Sequence, residues 1–108
     1  EVGHRNFKLW YDPGNVCFYT DGKVNPVEDA AGLGGIVVGT VIKDFRLPKS
    51  VNITPGTGMV DFPGLIAVLQ KGGFKRGPVI VESLNDGDVA YINSEALKTR
   101  LFLEEITK

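Results

Sequence analysis

Residues 37–44 read VVGTVIKD. With Ile36 in front, the run is β-branched and almost continuous, which is the pattern of a strand covered on both faces. It ends on charge, at Lys43 and Asp44. Two other apolar runs end the same way: KLWYD at Asp12 (residues 8–12) and PVIVE at Glu82 (residues 78–82). Helix-like stretches lie between the runs. An apolar strand, an acidic tip and a helix, repeated, is how α/β proteins gather acids at one end of a parallel sheet, where ligands bind.

Working outward from these tips, the pattern predicts strands at about 7–12, 36–44 and 78–84 and helices at about 26–33, 62–72 and 94–107. Pro13-Gly14 closes the first strand as a turn, and 16–19 either continues the loop or starts a short helix. Asn25 caps the next helix, with Pro26 at its first position. Leu47 to Met59 is a long loop holding Pro48, Pro55, Gly56 and Gly58, a length often tied to function. Its glycines are read as turn formers, because a phosphate-binding loop also needs a Lys-Ser/Thr ending. Asp61 caps the second helix, which Gly72-Gly73 ends. The last helix is capped at Asn93 or Ser94, with Leu97, Leu101 and Phe102 as its buried stripe. Trp10, Tyr11 and Cys17 are expected in the core, and His4 on the surface.

The order is βα, βα, βα, with strands roughly thirty-odd residues apart, the size of a βαβ unit. Such units give parallel strands and right-handed crossovers. Three strands leave two edges with unpaired backbone groups, and a complete (β/α)₈ barrel takes about 250 residues. The 108 residues therefore read as one domain, 1–108, that is a piece of something larger, or as a small sheet that forms a homo-oligomer.

Composition narrows the function. A net charge of -1, with basic residues concentrated only at Lys71 to Arg76, argues against a nucleic-acid binder. Cys17 is the sole cysteine, so no internal disulfide forms. No run reaches the ~18 apolar residues of a membrane span. No signal peptide is recognised at Glu1, and the expected compartment is cytoplasmic.

VIKDFR (41–46) and PGTGMVDFPGLIAVLQKGGFKRGPVIVESL (55–84), with YDPGN (11–15) before them, resemble the sugar phosphate isomerase/epimerase family of xylose isomerase-like TIM barrels. The matching motifs are the Lys-Asp strand end, the Pro-Gly-x-Gly-x-Val-Asp-Phe-Pro loop, the Gly-Gly-Phe helix end and the Pro-x-x-x-Glu strand. They cover nearly the whole chain and correspond to the last three βα units of eight.

The resemblance implies a divalent metal (Mn, Mg, Co or Zn) and proton transfer beside a keto-sugar carbonyl through an enediolate, on a sugar or sugar phosphate. It places Asp12 as a metal ligand and Glu82 as metal ligand and catalytic acid or base. Asn15, Lys43, Asp44 and Arg46 fall at substrate-contacting positions. One departure stands out: Val41 occupies a position where the family often has a metal-binding His. The second glutamate of the pair would lie on an earlier strand, so the isolated chain is expected to be inactive. Val41 also motivates an alternative, a non-catalytic sugar or polyol-binding protein on the same scaffold.

Overall fold

The structure is a computed structural model and describes residues 3–108. Its elements run β1 (Leu9–Tyr11), α1 (Pro13–Tyr19), α2 (Pro26–Ala31), β2 (Val37–Ile42), α3 (Phe62–Lys71), β3 (Val79–Val81) and α4 (Val89–Ile106). The strands form one parallel sheet in the order β1-β2-β3. No helix among the described residues is long and apolar enough to cross a membrane.

Register decides which residues share a face. Trp10 pairs with Gly39, and Val41 pairs with Ile80. Side chains alternate along a strand, so Trp10, Val41 and Ile80 stand on one face and Tyr11, Thr40, Ile42 and Val81 on the other. The second face carries the core. There Tyr11 and Ile42 pack with Phe45, Phe62, Leu65 and Leu69. Phe62, Leu65, Ile66 and Leu69 make the buried side of α3, and each contributes about 1.5–3 kcal/mol by leaving water.

The first face is open. Trp10 is 48% exposed and Ile80 is 47% exposed. Trp10 was expected in the core, but the alternation that buries Tyr11 turns its neighbour outward. The Tyr11 hydroxyl donates toward the Pro26 carbonyl and Asp29 Oδ2, both at 2.9 Å, tying β1 to α2. Cys17 is fully buried, and burial together with the Asp44 charge pushes its thiol pKa up.

Three boundaries differ from the sequence reading. Pro13-Gly14 is the start of α1 rather than a turn: Asp12 caps it by accepting the Asn15 N–H at 3.0 Å, and Pro suits its first position. The strands are shorter at both ends. Helix α4 begins at Val89, not Ser94, because Asp88 Oδ1 accepts the Tyr91 N–H at 2.8 Å.

The buried stripe of α4 also moves. Leu97 and Leu101 are exposed, while Glu95 and Thr99 are buried and Phe102 meets Phe62 edge-on at 6.2 Å. Glu95 is the reason: its Oε1 accepts from Thr54 Oγ1, Asn85 Nδ2 and the Tyr91 hydroxyl, so this face of α4 must turn inward.

The long loop after β2 is built around one carboxylate. Asp44 is fully buried, and its two oxygens accept the N–H groups of Phe45, Gly56, Gly58 and Val60 at 2.8–3.1 Å. A Cβ on Gly58 would lie 2.7 Å from the Asp44 carboxyl carbon, so only glycine permits this approach. Asp44→Ala strands four amide donors, of which those of Phe45 and Val60 are buried, and a buried donor costs roughly 1–3 kcal/mol when unpaired. The variant is expected to lose about 3 kcal/mol or more, read as a fall in the urea midpoint, and the 46–59 segment should become the first site of limited proteolysis.

Candidate functional site

Asp12, Lys43 and Glu82 follow Trp10, Val41 and Ile80 by two residues each, so alternation carries all three to the same face as the strands end. They meet. Lys43 Nζ lies 3.1 Å from Asp12 Oδ2 and 3.0 Å from Glu82 Oε1. It also donates to Asn15 Oδ1 at 3.2 Å. The three protons of the ammonium thus reach three oxygens from the ends of β1 and β3 and the first turn of α1. Four of the six residues singled out in the sequence form one cluster.

The other two lie elsewhere. Asp44 was expected to contact substrate, but it follows Ile42 by two and so turns to the helix side, where backbone amides engage both oxygens. Arg46 is exposed, and its guanidinium donates to the Thr57 carbonyl at 3.0 Å. Its backbone pairs with Ser50. Gly56 and Gly58 direct their N–H groups at Asp44, leaving neither for an anionic ligand.

Exposure differs within the cluster. The Lys43 side chain is 9% exposed and Asp12 is 18% exposed, whereas Glu82 is 51% exposed. Burial by itself lowers the Lys43 pKa, but the hydrogen bonds and charges of Glu82 and Asp12 outweigh it, and the net direction is upward. Among the described residues, Glu82 is engaged only through Oε1. A cleft of about 340 Å³ runs beside it, lined by Asn52, Ser83, Asn85 and Asp86. A larger cleft of about 430 Å³ lies between α3 and α4 and contains none of the four residues.

One contributor escaped the sequence reading. A Cβ on Gly14 would overlap the Lys43 stem, falling 2.8 Å from Cδ and from the Lys43 carbonyl oxygen. Gly14 is therefore the gap through which the lysine reaches its acceptors. The signal was a glycine just inside a Pro-initiated helix, where alanine would favour helix.

No protein-family model matches the chain, and no curated protein matches it. Solved structures do. A xylose isomerase domain protein from Planctomyces limnophilus superposes with a TM-score of 0.79 at 22% identity, over 97% of this chain and 39% of that one. The fold is part of a xylose isomerase-like TIM barrel. A D-tagatose 3-epimerase-like protein gives a TM-score of 0.72 at 19% identity, over 98% of this chain and 36% of that one. A xylose isomerase domain protein from Alicyclobacillus acidocaldarius subsp. acidocaldarius gives 0.71 at 25% identity, over 98% and 39%. The chain thus spans between 36% and 39% of the length of these xylose isomerase-like barrels.

The residues present do not fit a divalent metal beside Lys43. Such an ion takes about six oxygen ligands at roughly 2.0–2.6 Å. Val41 offers no donor, and Asp12 and Glu82 already converge on a cation. A dication in contact with the same two oxygens would lie close to the ammonium and repel it.

Two outcomes follow from this geometry. Gly14→Ala should cost about 1–3 kcal/mol through overpacking, seen as a lower urea midpoint at unchanged slope. Because the folded-state pKa of Lys43 is raised, the stability it adds is complete below the ordinary lysine value near ~10.4 and is lost as pH rises through the folded value. The melting temperature should therefore fall above about pH 10.4. Lys43→Met should remove that share of the slope, leaving the shares from Tyr11 and Cys17, whose pKa values burial also raises.

Proposed function

We propose that this chain forms the ligand-facing end of a sugar isomerase/epimerase-like protein, acting by proton transfer beside a keto-sugar carbonyl. The supporting observation is the cluster itself: Asp12, Asn15, Lys43 and Glu82 meet at one end of a sheet with this fold. The site combines a half-exposed carboxylate with an ammonium 3.0 Å away, which is a base next to a cationic hydrogen-bond donor.

In the proposed reaction, a Glu82 oxygen takes the proton from the carbon beside the carbonyl. The C–H electron pair becomes the new C=C bond, and the carbonyl π pair moves onto oxygen, giving the enediolate. Lys43 donates a hydrogen bond to that oxygen as its charge grows. Return of the proton to the neighbouring carbon uses the C=C pair for the new C–H bond, while the hydroxyl proton passes to the first oxygen and C=O forms at the second; the carbonyl has shifted, so one carboxylate suffices for isomerisation. Inversion at the original carbon requires a second acid on the opposite face. Asp12 and Asn15 hold Lys43 in place and leave Glu82 as the exposed partner.

A second reading, sugar or polyol binding without chemistry, is favoured by one observation: all three ammonium protons of Lys43 already have acceptors. The two readings separate in deuterated water. A panel of ketoses and polyols is titrated into isotope-labelled protein, and shifts are expected at Asn15, Lys43 and Glu82. Deuterium entering the carbon beside the carbonyl, and no longer doing so in Glu82→Gln, marks the enzyme. Exchange needs only the Glu82 carboxylate and not the second glutamate that a full turnover by epimerisation requires, so binding without exchange marks the binder. Absence of any response at these residues across the panel would defeat both.

A further inference from the structure

We propose that the Lys43 ammonium is the resident cation of this site, holding the place between Asp12 and Glu82 that the resemblance gives to a divalent metal. The proposal deepens the reading above and rests on it for the identity of the site. Its consequence is a change of ligand class: the carboxylate pair does not take up Mn²⁺, and what it recognises is a neutral polyhydroxylated molecule that exchanges hydrogen bonds with the ammonium and its acceptors.

Three observations carry it. First, the lysine is in phase with the acids: Asp12, Lys43 and Glu82 each follow, by two residues, a residue of the open sheet face. An ammonium thus stands where a third donor to a metal would be expected, and Val41, one step back on the same face, has no donor. Second, the coordination is filled. Three oxygens, two from the Asp12–Asn15 turn and one from the end of β3, lie 3.0–3.2 Å from Nζ, which accounts for every proton an ammonium has. Third, the place is built for the lysine. The stem passes over Gly14 in a space any other residue would close, and the side chain is 9% exposed. An exposed lysine that had merely drifted toward two acids would need no such channel.

The charge balance agrees. Asp12 and Glu82 against Lys43 leave one net negative charge, which a monovalent cation does not over-compensate. Mn²⁺ added beside the ammonium would bring three positive charges to two carboxylates. With the ammonium gone, two carboxylates and the Asn15 carbonyl would face a vacated position of the kind a hard cation takes.

The test uses Mn²⁺ alone as a probe on the isotope-labelled chain, read by paramagnetic broadening of backbone amides. Wild type should show no broadening centred on Asp12, Lys43 and Glu82. Lys43→Met, close in length and uncharged, should gain broadening there, with Mn²⁺ bound at least about tenfold more tightly, a change of about 1.4 kcal/mol. Lys43→Gln provides the same test in a polar form should methionine disturb the fold. Broadening centred on these residues in wild type overturns the proposal. So does a folded variant that gains none, since the carboxylates would then not be a cation site at all. The sugar titration fails separately: a wild type that rejects Mn²⁺ and also ignores every ketose and polyol keeps Lys43 as the resident cation and defeats the polyhydroxylated ligand class together with the functional reading. A wild type that takes both does the reverse.

Discussion

Lys43 and Asp44 are adjacent, and the alternation of side chains at the end of β2 sends them to opposite sides of the sheet. Almost everything distinctive about the molecule depends on that parting. On the helix side, Asp44 gathers four amides and turns residues 45–60 into an ordered loop leading to α3. On the open side, Lys43 draws together the ends of β1 and β3 and the first turn of α1. A buried carboxylate is tolerated because its hydrogen bonds come from fixed backbone donors. A buried ammonium is tolerated because two carboxylates face it. A shift of one residue at this point would exchange the two side chains and leave each charge among the wrong partners.

The α/β class was legible because each strand is a short apolar run with a charged end, and the helix caps at Asn25 and Asp61 were legible because capping is local chemistry. Two of the failures share a cause. Acidic tips were read as a set without counting phase. Counted from the open-face residues, Asp12 and Glu82 are in step and Asp44 is one residue out, so the third tip is the lysine beside it. Alternation also separates Trp10 from Tyr11, which their shared place inside the strand had put together in the core. Helix α1 was hidden because Pro-Gly serves equally well as a turn and as a helix start, and only the Asp12 side chain bonded to Asn15 decides between them. On α4, Leu97 and Leu101 lost to Glu95, whose hydrogen bonds with Thr54, Asn85 and Tyr91 outweigh leucine burial. Such a network joins residues up to 41 positions apart, beyond any local pattern.

The open sheet face gives the solved structures a physical meaning. Trp10 and Ile80 are half exposed in a short three-stranded sheet whose outer strands have free edges. In a closed barrel the equivalent face is interior, filled by side chains of alternate strands. The match to just over a third of each longer chain is thus consistent with the apolar character of these inward positions. The polar cluster begins two residues beyond them, at the strand ends, where that interior would give way to the ligand-facing end.

How the cluster could admit a ligand follows from the inequality of its bonds. Two of the three acceptors around Lys43 are carboxylates at 3.0–3.1 Å, and the third is the neutral Asn15 amide at 3.2 Å. The Asn15 acceptor carries no charge, so its bond to Nζ lacks the Coulombic attraction of the two ion pairs and is the one that yields. A sugar oxygen replacing Asn15 Oδ1 would accept a hydrogen bond from Nζ without disturbing either ion pair. It would then lie within reach of Glu82, the most exposed member of the cluster. The freed Asn15 amide would still offer both a donor and an acceptor to a neighbouring hydroxyl. On the proposed reading, the lysine that fills the site without ligand would also be the group that receives one.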